Sequence, residues 1–476
     1  MKRSFLNRTL FFCTALLLLA VLVMAGTAAP KRYDGTKIRI ITFDFAAASE
    51  AIKKEIATIK KNTGVEVIVE TFPVPNLYEK MAMDASTKAG QWDLYMYDNA
   101  WGPQFIKAGW VINLDKYIKR DAKAVGLEDF MQTNLRAFQD AKRRTFGLPW
   151  YADVQDVFYR KDWLANPDYQ AKFKKMFGRD LTVPTNIEEF VEVAKFFTKK
   201  YNPDSPTEYG TVDGRMRDLC GFCAFLEILY SLGGDVIYGQ PPESLNRLKY
   251  TAKQKHHSAL STPIGYEAAR IYKWLSSPEL GIMMPGSATY SWWEVTGPFQ
   301  TSKVALTTMW STVAPVVEDP ATGNATGKIG YAPGLIYHGI FDKKVKGGFR
   351  SGRIGGWGIG ISSVSKNKDA AWEVVKHLCG IENARHMLID NKLEVPRNST
   401  YNDPELQKQY PSFKATVISM ATARPVPQYP FYEKIELIMT KYLSELAAKA
   451  DADPVKYMDN ATAEINELMK KQGMFK

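Results

Sequence analysis

The strongest constraint on this chain is a repeated switch between two periodicities over residues 38–115. Residues 38–43 are a short β-branched run that reads as a strand. Ile52, Ile56 and Ile59 then recur at helical spacing, and Gly64 closes that stripe. Residues 65–69 predict a second strand, 77–88 a second helix and 94–97 a third strand. Strands joined by such helices pair in parallel through right-handed crossovers. All three therefore end on one edge of the sheet, which is where open α/β sheets hold ligands. Phe43-Asp44-Phe45, Pro73-Val74-Pro75 and Asp98-Asn99-Ala100-Trp101 are predicted to converge there.

Beyond residue 115 a second unit begins around Gly147-Leu148-Pro149-Trp150-Tyr151, with a strand predicted over 157–160. Thr185 with Glu188 has the spacing of a capping box, opening an amphipathic helix that runs through Phe197. Residues 304–309 read as a buried strand ending at Trp310. The glycine-rich block 347–360 implies a chain crossing or close backbone approach, followed by a strand over 358–361. Helices are expected over 368–378 and 433–449, with Asp453-Pro454 opening a last one. A polar excursion spans 240–263.

The N-terminus has the form of an export leader. Lys2, Arg3 and Arg8 precede an apolar run over 10–25, and small residues favour cleavage after Ala28. That run is short for a bilayer span, and Cys13 follows Phe12 inside it, so a lipoprotein anchor is not indicated. Removing the three leader cations from a net charge of +11 leaves +8. The remaining basic residues are dispersed in pairs such as Lys53/Lys54 and Arg143/Arg144, not gathered in the stripe that nucleic acid requires. Hydrophobic residues make up 45% of the chain, ample for two or three real cores.

Cys220 and Cys223 form a CxxC, but no strand signal precedes it as a redox motif would need. A structural disulfide or two buried thiols on one helix face fits better, and Cys379 is expected to be a buried thiol. The five histidines show no zinc spacing with these cysteines, so no metal and no cofactor are expected. Met83, Met131 and Met309 are expected in the core.

Trp101, Trp150, Trp310 and Trp357 each stand at a break between strand and helix, beside Asp, Gly, Pro or Ser. Trp372 and Trp274 instead lie within apolar periodic runs. Aromatic faces at loop edges suit the C–H faces of a sugar ring, while Asp and Arg side chains hydrogen-bond its hydroxyls. Asp153 and Glu294 could be imagined as a glycosidase pair, but no spacing brings them together, and hydrogen-bonding or surface roles are favoured. No GxSxG elbow or GxxxxGK[ST] loop occurs, and Gly352 to Gly356 lacks the preceding strand of a dinucleotide site.

In order and spacing, several segments resemble one family over nearly the whole mature length. They include YEKMAMDASTKAGQWDLYMYDNAW, IKAGWVINLDKYI, FGLPWYADVQDVFYRKDWL, SKVALTTMW, GGWGIGISSVSKNKDAAWEVVKHLCG and EVPRNS. The chain resembles the extracellular solute-binding proteins of carbohydrate ABC transporters, the maltodextrin-binding-like group of family 1. The resemblance implies an α/β fold of the periplasmic-binding-protein-like class II, with two α/β lobes joined by hinge segments and a sugar cleft between them. The implied layout is a leader over 1–28, a first lobe over 29–148 and 353–398, and a second over 149–352 and most of 399–476. By position it suggests Asp44, Asp98 and Trp101 from the first lobe, Trp150 and Tyr151 near the hinge, and Trp310 from the second lobe. It further suggests Trp357 on the return crossing, Arg397 in VPRNS and Tyr432 ahead of the long C-terminal helix. It implies a monomeric, periplasmic, non-enzymatic carbohydrate binder that works with membrane permease subunits and without nucleic acid. Side chains at several of these positions depart from the maltodextrin binders, which leaves the sugar open. An exported glycoside-acting enzyme, or a binder of a polyol or other non-sugar solute, is the alternative.

Overall fold

The computed structural model describes residues 32–215, 219–238, 257–321, 323–391 and 393–473. The expected leader, Cys13, His256 and most of the 240–263 excursion lie outside the described residues. Within them, seven strands form one sheet: β1 Lys37–Phe43, β2 Glu66–Phe72, β3 Leu94–Asp98, β4 Leu148–Arg160, β5 Leu306–Trp310, β6 Ile329–Pro333 and β7 Ile354–Ile361. The order is β2-β1-β3-β7-β4-β5, with β6 also paired to β4. β1 pairs in parallel with β2 from Lys37↔Glu66 to Phe43↔Phe72, and in parallel with β3 at Ile40↔Leu94. The βα alternation predicts this arrangement.

The second half of the sheet departs from that pattern. β7 returns antiparallel to both β3 and β4, pairing Asp98 with Trp357 and Asp153 with Gly355. β4 is thirteen residues long, so the predicted strand over 157–160 is only its end. Its first half pairs with β7, and its second half is flanked by β5 and β6. β4 and β7 thus carry the chain between two α/β lobes, each with helices covering its own part of the sheet.

Local chemistry accounts for the element ends. The helix Ala46–Thr63 stops at Gly64, whose φ of 84° and N–H bond to the Lys60 carbonyl make a left-handed cap. A Cβ there would stand 2.7 Å from the Asp34 nitrogen, so glycine is required twice over. The predicted capping box at Thr185 is displaced by one residue. Asn186 is the N-cap of Ile187–Phe196, accepting from the Glu189 N–H at 2.9 Å, while Thr185 donates to the Glu189 carboxylate.

The apolar faces close as the periodicity requires. Ile38, Ile40, Ile41, Ile52 and Ile59 are all fully buried, each worth about 1.5–3 kcal/mol of transfer free energy. A separate cluster gathers Phe158, Phe299, Val304 and Met309 in the second lobe. A third, under the hinge, joins Ala152, Val154 and Ile354 to Tyr401 and Phe413. Met83 is a correction: it is 66% exposed, on the outer face of Val74–Thr87. Cys220, Cys223 and Cys379 are buried thiols that form no disulfide, so of the two structures considered for the CxxC, the thiol pair is present. No helix among the described residues is long and apolar enough to cross a membrane.

Candidate functional site

The strand ends of the first lobe meet those of the second around a cleft of about 660 Å³, part of it open to solvent. From the first lobe come Phe43, Asp44, Phe45, Val74 and Asp98, the three convergent segments of the sequence. From the hinge come Tyr151 and Asp153 on β4, and Arg353, Gly355, Gly356 and Trp357 on and beside β7. Trp310, Thr312 and Val313 complete the wall from the end of β5.

Asp98 is where β3 stops. Its carboxylate accepts from the Ala100 N–H at 2.8 Å, and its carbonyl accepts from the Trp101 N–H. This local turn ends the strand and fixes the carboxyl group at the cleft. Asn99 ties the turn to the return strand, donating from its N–H to the Gly356 carbonyl at 2.9 Å and from its amide to the Ile354 carbonyl. Burial pushes the Asp98 carboxyl upward, opposed by the Arg353 guanidinium. Asp44, by contrast, sits exposed at the rim.

Asp153 reaches the cleft because residues i and i+2 of a strand share a face. Tyr151, on the same face, donates its hydroxyl to Asp153 at 3.0 Å and lies 2.8 Å from the Thr312 hydroxyl. Gly355 opposes Asp153, and a Cβ there would stand 1.8 Å from the Asp153 Oδ1. Burial raises the Asp153 carboxyl to about 7, even with Arg353 nearby pulling it down. Arg353 is 2% exposed, and the backbone on either side of it bonds to Arg424. Its Nη1 donates to the Cys223 sulfur at 3.2 Å, and its Cζ lies 5.5 Å from the Trp310 ring centroid. Its Nη2 stands 3.6 Å from Asp98, and neither Nε nor Nη2 has a hydrogen-bond partner among the described residues.

Aromatic rings form the other wall. Trp357 stacks on Phe43 with centroids 4.1 Å apart and planes 15° from parallel. Trp101 meets Trp357 edge-on at 5.4 Å, bracing it from behind instead of lining the cavity.

Of the nine positions expected from sequence, Asp44, Asp98, Tyr151, Trp310 and Trp357 line one cleft, and Trp101 buttresses it. The other three do not line it either, and these are corrections. Trp150 is the extra residue where the β4–β7 register shifts between Pro149 and Tyr151, and it is fully buried in the core. Arg397 is also fully buried, donating to the carbonyls of Gly126, Val125 and Cys379 with its guanidinium over Phe130. It pins a first-lobe loop. Tyr432 is 2% exposed in the first turn of Tyr432–Ala448, behind Arg353 and stacked toward Phe222.

Asp153 was legible as a carboxylate but not as a cleft residue, and Arg353 carried no motif at all. The one available signal for Arg353 was its place just before a glycine-rich returning strand. Glu294, the other imagined catalytic acid, caps its own helix with Ser291 and lies outside the cleft.

A cleft walled by the strand ends of two lobes, with paired crossing strands beneath it, is a binding architecture. The family described as bacterial extracellular solute-binding protein matches residues 44–384, well over half the chain. The chain belongs to this family. Across 456 residues it is 21% identical to a probable amino-acid ABC transporter periplasmic-binding protein of Sinorhizobium fredii, covering 95% of this chain and 94% of that protein. Among solved structures, it is similar to an ABC transporter solute-binding protein of Agrobacterium radiobacter K84 in complex with ribitol. That match has a TM-score of 0.75 and 24% identity, covering 92% of this chain and all of the other. Maltose-bound MalE3 of T. maritima matches with a TM-score of 0.75 and 21% identity, over 91% of this chain and 100% of that one. These likenesses show that the solute-binding fold is shared.

Proposed function

We propose that this solute-binding protein captures a small polyhydroxylated solute, a mono- or oligosaccharide or a polyol, by hinge closure and delivers it to an ABC-transporter permease. The observation that carries the reading is the convergence of Asp98, Asp153 and Arg353 with the Trp357 and Trp310 rings in one cleft at the hinge. Rings stack on the apolar faces of a sugar, while carboxylates accept from its hydroxyls and the guanidinium donates to its oxygens. Ribitol and maltose in two structures of similar fold support that chemistry. Closure is supported by proximity across the mouth, where Glu433 of Tyr432–Ala448 acts electrostatically on the Tyr78 hydroxyl of Val74–Thr87. Ligand contacts to both lobes would shift the population toward this closed form.

In this reading residues 29–148 and 353–398 make the first lobe, and 149–352 with most of 399–476 the second. The protein acts as an exported monomer, and binding leaves the solute chemically intact. A micromolar ligand requires about 8 kcal/mol at standard state, within reach of two or three stacked rings and charged hydrogen bonds. The test is a thermal-shift screen over sugars, polyols and organic acids, followed by calorimetry on each hit and chromatography of the recovered ligand. A sugar or polyol that raises Tm with concentration and returns unaltered supports the proposal. Stabilisation by organic acids alone, or cleavage of the ligand, defeats it.

A further inference from the structure

The charges on the cleft wall do not balance, and the imbalance bears on the class of ligand. Asp98 and Asp153 are 5% and 8% exposed, and the Asp98 charge pushes the Asp153 carboxyl upward. Asp44 adds a third carboxylate at the rim, while Arg353 is the only cation among the described lining residues. Arg353 is itself divided. Its Nη1 is committed to Cys223, and its Nη2, 3.6 Å from Asp98, is too far for a hydrogen bond. A carboxylate withdrawn from water without a matching charge is costly, and a hydroxyl brings none. The remaining lining includes π faces: Trp357 stacked on Phe43, and Trp310 beside Gly355. Carboxylates set among aromatic faces are the chemistry that recognises an ammonium group.

Resting on the reading above that the cleft takes a polyhydroxylated solute, we propose that its ligand also carries a protonated amine, as an amino sugar or amino-polyol does. The ammonium sits between Asp98, Asp153 and the aromatic wall and donates to both carboxylates, releasing to solvent the proton that burial leaves on Asp153 in the empty cleft. Neighbouring hydroxyl oxygens accept from the Arg353 Nε and Nη2, which have no hydrogen-bond partner among the described residues.

Matched pairs isolate the charge. Calorimetry at about pH 6 would compare D-glucose with D-glucosamine and D-glucitol with D-glucamine, adding N-acetyl-D-glucosamine as a neutral control. The amine of at least one pair is expected to bind tenfold or more tightly than its neutral partner, and the acetylated sugar no better than glucose. Asp153→Asn should narrow the gap within that pair. Neutral members binding as tightly as the amines would overturn the amine and leave the sugar reading standing. No binding by either pair would also overturn it. Silence across the wider screen of sugars and polyols would remove the underlying reading as well.

Discussion

Replacing Asp153 with asparagine tests the hinge electrostatics directly. The carboxyl group is 8% exposed, and burial lifts its folded value to about 7 from an ordinary value of 3.8. A carboxyl raised on folding stabilises the protein fully only below its unfolded value, and that stability is lost as pH climbs through about 7. The unfolded chain ionises freely at pH 8, whereas the folded chain must hold a charge in a nearly dry cleft. The substituted amide would keep the shape and an acceptor for Tyr151 while removing the titration. The stability advantage of Asp153→Asn over the parent should therefore widen by about 3 kcal/mol between pH 5 and pH 8. With an unfolding entropy of about 2.1 cal/mol/K per residue over 476 residues, that is roughly 3 °C in Tm. The assay is differential scanning fluorimetry of both ligand-free proteins across this range. Asp156, also raised by burial, is common to both proteins and cancels in the difference, whereas Glu394 is raised in part by the Asp153 charge, so its relief in Asp153→Asn acts in the same direction. A Tm gap that stays constant, or shrinks as pH rises, would refute the claim that Asp153 is held protonated by desolvation.

Further expectations follow from where each side chain is placed. Trp150→Ala should cost about 3–5 kcal/mol of stability by opening a core cavity, whereas Trp310→Ala should weaken the ligand found by screening about tenfold; denaturant melts and calorimetry separate the two. Equal affinity for Trp310→Ala and parent would remove that ring from the site. Arg397→Met strips donors from three buried carbonyls and should destabilise by about 3 kcal/mol or more, with the affinity of the folded fraction unchanged; a selective affinity loss would show that Arg397 touches ligand. Asn186→Ala should cost about 1 kcal/mol as a lost N-cap, and Thr185→Ala less; the reverse order in urea melts would restore the capping box at Thr185.

The first lobe could be read from the sequence because its information is local. The 3.6-residue stripe of Ile52, Ile56 and Ile59, and the β-branched runs beside it, determine which backbone hydrogen bonds each segment makes. The βα alternation then forces parallel strands whose ends share an edge, which brings Asp44 and Asp98 together without reference to the rest of the chain. Tertiary structure alone decided the second wall. Whether Trp150 or Tyr151 faces the cleft depends on the register of β4 against β7, which shifts between Pro149 and Tyr151. Arg353 and Asp153, far apart in sequence, meet because β7 lies beside β4 and Gly355 leaves room for the carboxylate. Arg397 carries the same charge as Arg353, yet the carbonyls folded around it turn it into a structural pin. A side chain's type is written in the sequence, but its role follows from which distant groups the fold packs against it.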